Sequence, residues 1–488
     1  MAPALRPRLF LSGLVALTAS LLATGCGEGN DAPVVVSVIG SDREASAPLA
    51  YAHSRAGQVM LAATARGLVR LDATGTVIPA LAQRWIVIDD GKSYIFRLRR
   101  ARWADGAKVD AREVKRLLQV RLRARARLDP YGPLSSVDQI LAMTDDVLEL
   151  RLKAARPNFL VALAEPDMAI ARSSGGSGPY RKRLDQDGVW RLQPLDALGK
   201  VEEEAPRREI RLLRAERAAR AIVRFGRGES DLVLGGTVAE LPYVSLGGIN
   251  DNAIRFDPVQ GLFGLALAAD NPTLDDKQMR RALAMSLDRT AIVNRYNVAR
   301  WKIAEQIMPQ ALNLPHAPTP PDWVGLPMER RIELARDIVA RWRLQHEGAP
   351  LVLSISLPPG PGSDMLLAAL RDQYGRVGIM LTRTDEDADL TLIDEVAPYD
   401  SASWYLGRLS CARGVQCDPQ AEELLKESLS APIMADRLAR LGEAEPLMAA
   451  HGGFIPLAMP VRWSLVSRKL DGFAPSPRAE HPLDHVMK

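Results

Sequence analysis

Cysteine and histidine are scarce, three and six in a chain of 488 residues. That is too little soft-ligand material for a zinc or iron–sulfur cluster, so no metal site and no other cofactor is expected. Charge of one sign is also missing: 63 basic against 59 acidic side chains leave a formal +4, which implies no nucleic-acid partner. The enzyme motifs Gly-x-Ser-x-Gly, His-Glu-x-x-His, the Walker loop and Gly-x-Gly-x-x-Gly do not occur. Hydrolase, metalloprotease and nucleotide-dependent chemistries thereby lose their usual carriers, and no enzyme activity is expected. Outside residues 9–22 no run approaches the ~20 apolar residues of a membrane-spanning helix.

What is present is enough apolar sequence for several cores, 47% hydrophobic with a mean hydropathy of -0.07. At this length two or three folded domains are expected. Arg6 and Arg8 precede the apolar run Leu9 to Leu22, which ends in Leu22-Ala-Thr-Gly-Cys26. A positive start, a short apolar segment and small residues before a cut are the parts of an export signal. The last five residues resemble a bacterial lipobox, in which Cys26 carries the lipid. Residues 1–25 are then a lipoprotein signal peptide and 26–33 a tether, giving a periplasmic body anchored to the membrane by N-terminal lipid. In such an oxidising compartment Cys411 and Cys417, separated by Ala-Arg-Gly-Val-Gln, can close as a local disulfide.

Strands and helices alternate along the rest. Val34 to Ile39 is a β-branched run suited to a strand buried on both faces. Val59 to Leu71 has helical spacing, and Trp85 to Leu98 reads as a hairpin turning at Asp89-Asp-Gly91. Asp110 with Glu113 has the form of a capping box, and the Arg-rich stretch Arg116 to Arg127 reads as a solvated helix face. The order of elements after Leu262 predicts an α/β lobe with a mostly parallel sheet. His481 and His485, beside Pro482, read as a frayed surface pair.

Several segments carry a resemblance. Pro79-Ala-Leu-Ala-Gln-Arg-Trp85, Asp90-Gly-Lys-Ser-Tyr-Ile-Phe96, Trp103-Ala-Asp-Gly106, Gly176-Ser-Gly-Pro-Tyr180, Gly228-Glu-Ser-Asp231 and Arg280-Arg-Ala-Leu-Ala-Met-Ser-Leu-Asp-Arg289 resemble, in order, the signature of bacterial extracellular solute-binding proteins for oligopeptides, dipeptides and nickel complexes. Gly453-Phe-Ile-Pro456 and Leu470-Asp-Gly-Phe473 fit as well. The resemblance implies an α/β fold, a two-lobed periplasmic-binding-protein type II clamp with an additional inserted domain. The divisions are then 34–62, 176–262 and 460–488 for lobe I, 63–175 for the inserted domain and 263–459 for lobe II. It implies a monomer that closes on a peptide or other small solute and docks on an ATP-binding-cassette permease.

Site residues transfer less completely. Peptide binders use Trp-x-Ala-Asp-Tyr to place a carboxylate at the ligand's amino terminus; the matching stretch here is Glu395-Val-Ala-Pro-Tyr399, with Pro398 at the Asp position. Asp394, Glu395 and Asp400 are the substitutes expected, with Tyr399 beside them. Tyr131 matches an aromatic that faces the cleft in the family. Trp404 and Tyr405 are candidate pocket aromatics, Arg408 a candidate for a ligand carboxylate, and Ser41 and Asp42 lie just past a strand end where binding loops gather. The Pro398 departure leaves an alternative open, a non-transport lipoprotein (a ligand sensor or an assembly factor) that keeps the clamp with a degenerate peptide site.

Overall fold

A computed structural model describes residues 31–196, 199–310, 312 and 314–488. The signal peptide, most of the tether and Cys26 therefore lie outside the described residues. The fold is an α/β two-lobed clamp with a further four-stranded unit.

A seven-stranded sheet is centred on Val34–Ile39, flanked in parallel by Arg211–Glu216 and Leu232–Gly236. Val34, Val36 and Val38 are fully buried, and so is Ser37, whose hydroxyl donates to Glu216 Oε1 at 2.7 Å. Both faces of this strand are covered, as its β-branched composition predicts. Trp190–Pro194 and Tyr180–Leu184 extend one edge, Trp463–Val466 and Ile254–Phe256 the other, all through antiparallel pairs.

The second sheet runs Ile379–Arg383, Leu351–Ser356, Leu390–Val396, Gly261–Leu267, Phe454–Ala458. It is mixed rather than mostly parallel. Leu351–Ser356 pairs in parallel with two neighbours, but Gly261–Leu267 is antiparallel to both of its own. The reason is connectivity: the chain enters this sheet at Gly261 and leaves it after Ala458, so the entering and leaving strands lie side by side and run oppositely. At the entry, a Cβ on Gly261 would stand 2.0 Å from the Glu395 carbonyl oxygen, so only glycine fits. The two crossing segments are tied together by Asp257 N–H donating to the Arg462 carbonyl at 3.0 Å. His481 is not frayed: its Nε2 lies 3.1 Å from the buried Asp257 Oδ2, and its ring stacks on Phe473. Sequence spacing placed it at the surface because Asp257 is far away in the chain.

The four-stranded antiparallel unit orders Ala82–Ile88, Ser93–Leu98, Val147–Leu152, Val137–Ala142. Phe96, Trp103, Leu148 and Leu150 are fully buried in one core that also takes in Ala397, Tyr399 and Trp404 from beside the second sheet. The helix Ala111–Leu128 packs on it. Asp110 caps that helix by accepting from Arg112 N–H and Glu113 N–H, both at 3.0 Å, but the capping box does not close. The Glu113 carboxylate goes instead to Trp103 Nε1 and the Arg172 guanidinium, a charge-assisted partner stronger than a backbone N–H. Helical spacing also overran the preceding helix, which is Arg55–Thr64. Ala65 turns extended, and Val69–Leu71 pairs with Val77–Pro79 as a small hairpin, its Val and Leu buried on either side of Arg70. No helix among the described residues is long and apolar enough to cross a membrane.

Candidate functional site

Segments beside the seven-, five- and four-stranded sheets line one cavity of about 540 Å³. Arg55 and Gln58 come from the helix beside the seven-stranded sheet, Arg478 and Glu480 from the C-terminal segment. The four-stranded unit supplies Arg125, Leu128 and Asp129 from the end of its helix, and Glu165. Opposite stand Asp394, Glu395 and Pro398 at the carboxyl end of Leu390–Val396, with Trp404 and Arg408 of the helix Ala402–Arg408. A cleft at strand ends, between lobes, is where ligands of open α/β sheets bind.

The lining is dominated by charge. Arg462 Nη1 meets Asp394 Oδ1 at 2.7 Å, with the two side chains 9% and 14% exposed. Arg408 forks onto both oxygens of Glu395, one contact at 2.6 Å. Arg478 bridges Asp400 at 3.0 Å and Arg125 bridges Asp167 at 2.8 Å. Two members of the Arg116 to Arg127 run thus turn inward, Arg125 to Asp167 and Arg121 to the Leu49 carbonyl at 3.3 Å. Glu165 and Glu480 differ from every other carboxylate in the cavity. Neither side chain makes a hydrogen bond or ion pair among the described residues, and Glu165 Oε1 is buried with no partner. Burial, then the charge of Glu480, holds the Glu165 carboxyl well above the usual range. Burial pushes Glu480 up to about 7 against the pull of Arg55. Arg55 itself makes one side-chain hydrogen bond among the described residues, Nη1 to the Ala479 carbonyl at 3.0 Å.

Of the residues picked from sequence, Asp394, Glu395, Trp404 and Arg408 line the cavity. The others do not. Ser41 and Asp42 are exposed, Ser41 serving as N-cap of the short helix Asp42–Ser46. Tyr131 is buried with its hydroxyl donating to Glu422, and Tyr399 is buried with its hydroxyl donating to Asp129 Oδ2 at 2.6 Å. These bonds dock the four-stranded unit against the second sheet, so both hydroxyls are already spent. Tyr405 is buried edge-on to Trp404 at 4.8 Å. Asp400 stays outside, reaching the cavity only through Arg478. Cys411 and Cys417 are joined in a disulfide, which ties the loop bearing Arg413 at the cavity wall. Arg55, Glu165, Arg462, Arg478 and Glu480 were missed. Their positions carry no local motif, and only the tertiary fold brings them together.

With the geometry in place, the comparisons decide the family. Residues 76–389 match the model described as bacterial extracellular solute-binding proteins, family 5 Middle. The chain belongs to that family. Membership puts it among solute-binding proteins rather than enzymes. A curated relative in Pseudomonas aeruginosa, "Probable di/tripeptide-binding protein 5", is 23% identical, with 86% of this chain and 89% of that protein covered. Among solved structures, OppA of Burkholderia pseudomallei superposes with a TM-score of 0.76 at 18% identity, covering 94% of this chain and 99% of that one. Haemophilus influenzae OppA in complex with RPPGFSPFR gives 0.76 at 16% identity, with the same coverages. At these identities the superpositions show the clamp fold. The chemistry of the cavity is this chain's own.

Proposed function

We propose that the protein captures a peptide-like solute in the inter-lobe cavity and delivers it to an ATP-binding-cassette permease. The single observation that carries this reading is a charged cavity of about 540 Å³ between the seven-, five- and four-stranded sheets, in which Glu165 and Glu480 make no side-chain hydrogen bond or ion pair among the described residues. Pro398 removes the carboxylate that peptide binders aim at an ammonium, and Asp394, Glu395 and Asp400 each hold an arginine. Glu165 and Glu480 take over that role: an incoming cation drives off their protons and supplies the missing partner. The relatives' names, one a di/tripeptide binder and one an oligopeptide binder, support a peptide.

The same reading makes residues 1–25 a signal peptide, Cys26 the lipid-bearing residue and 26–33 a tether, with a monomeric body in the periplasm. Lobe I then takes 34–62, 176–262 and 460–488, the inserted domain 63–175, and lobe II 263–459. Sheet membership supports these divisions, with Gly261 and Leu262 moving to lobe II. Closure is a hinge motion about the crossings tied by Asp257 and Arg462.

Native mass spectrometry of the purified protein, with collisional release, tests the function. A released peptide series is the expected result. A protein that is empty and whose melting temperature no peptide pool raises would favour the non-transport lipoprotein.

A further inference from the structure

Behind the solute cavity lies a smaller one of about 110 Å³, enclosed by the end of helix Arg55–Thr64, the hairpin that follows, Arg99 and the C-terminal segment. It has several times the space one water needs. Three arginines, Arg66, Arg70 and Arg99, converge on it. Arg70 bridges Asp484 at 2.9 Å, and Arg66 donates to the Ser177 carbonyl at 2.7 Å. The Arg99 side chain makes no hydrogen bond among the described residues, and its Nε is buried without a partner. Burial and the charges of Arg99 and Arg70 bring Arg66 down to about 10, and burial with Arg70 lowers Arg99. The three groups therefore feel one another. Of the three carboxyl groups that line the cavity only Asp484 pairs with one of these arginines, so Arg66 and Arg99 are left as partly buried cations without a carboxylate partner among the described residues, which costs stability unless an anion answers them.

Glu165 and Glu480 line this cavity as well as the larger one. Among the described residues neither glutamate is hydrogen-bonded or ion-paired to Arg66 or Arg99, and the carboxylate whose charge acts on Arg66 is Asp484. The two glutamates thus stand as a partition, held toward their neutral forms by burial. That partition argues for a free anion rather than the tail of a solute in the main cavity.

We propose that the cavity bounded by Arg66, Arg70 and Arg99 is a second binding site, for a small free oxyanion such as phosphate or sulfate. Guanidinium forks match the paired oxygens of such anions, and enclosure strengthens each bond.

The test is equilibrium dialysis of the purified full chain, free of solute, against radiolabelled phosphate, with sulfate as competitor and chloride keeping ionic strength constant. One phosphate per chain, displaced by sulfate but not chloride, is expected, with affinity lowered about tenfold or more in Arg99→Gln. A second variant, Arg99→Lys, retains charge and guards against misfolding as the cause of loss; it should bind measurably better than Arg99→Gln. Sulfate and phosphate stabilise many proteins by exclusion, so a thermal shift counts only as the difference between wild type and Arg99→Gln. Absence of phosphate and sulfate binding above chloride in the folded wild type would overturn the proposal. Undiminished binding in a folded Arg99→Gln would do the same. The probes are inorganic, so either result leaves the peptide reading standing.

Discussion

On the side of the cavity built from Leu390–Val396 and Ala402–Arg408, each carboxylate already holds an arginine, Asp394 with Arg462 and Glu395 with Arg408. Across from it Glu165 and Glu480 are ion-paired with none among the described residues, though the charges of Arg55, Arg125 and Arg478 reach them. The two sides carry the same residue types and use them oppositely. A buried ion pair is a finished object: it fixes geometry and gains little from a further charge. A buried carboxyl without a partner is unfinished, kept protonated by its surroundings and able to ionise when a cation arrives. The paired side is scaffold and the unpaired side is where a ligand gains most.

The comparison breaks most visibly at the scaffold. Arg462→Ala would strand the Asp394 carboxylate, whose side chain is only 14% exposed, and remove the tie to the Asp394 carbonyl at 2.8 Å. A loss of about 3 kcal/mol is expected by denaturant unfolding; a loss below about 1 kcal/mol would show that the pair is not structural. Next comes the disulfide, which pins the Arg413 loop on the same side. Cys411→Ser with Cys417→Ser should cost about 2 kcal/mol by the loop-entropy relation. An unchanged midpoint in the same measurement would show the loop is held by other contacts.

Glu480→Gln probes the unfinished side, and its signature is a sign. The folded pKa of about 7 lies above the ordinary 4.5, so between those values the folded chain binds more protons than the unfolded one. Stability then falls as pH rises from about 4.5 to about 7 and levels off above. His451, lowered to about 4 chiefly by burial, works the other way, adding stability as pH rises from about 4 to 6.5. Subtracting the variant's pH profile from that of wild type isolates the glutamate. The variant should be the more stable of the two at pH 8, yet bind a cationic peptide about tenfold more weakly by calorimetry. A variant less stable at pH 8 would contradict the protonated state of the carboxyl. Smallest of all is Asp400→Ala. Its carboxylate is 62% exposed and outside the cavity, so stability should move by less than about 0.5 kcal/mol and peptide affinity by less than about twofold. A larger loss of affinity would move the ligand toward Arg478.

The same contrast explains what could be read in the sequence. The strand Val34–Ile39, the Asp89 to Gly91 hairpin turn and the Asp110 cap were legible because neighbours in the chain create them. The family motifs gave the clamp. Within the cavity, the paired side was half legible, since Asp394, Glu395, Trp404 and Arg408 lie in or beside one short stretch, Glu395 to Tyr399, that was set against a family motif. Arg55, Glu165 and Glu480 come from three separate parts of the chain, and nothing beside any of them marks a site. Tyr131 and Tyr399 were misjudged for a related reason: their partners, Glu422 and Asp129, are distant in sequence, so hydroxyls that look free are already bonded.

The most direct test is calorimetric titration of trialanine at pH 7 in two buffers of different ionisation enthalpy, with wild type and Glu165→Gln/Glu480→Gln. Binding at the unfinished wall predicts an apparent enthalpy that differs between buffers, because the ammonium displaces protons from the carboxyl pair, and a difference that vanishes with most of the affinity in the double variant. A buffer-independent enthalpy, together with unchanged affinity in the double variant, would contradict the assignment of Glu165 and Glu480 to the ligand.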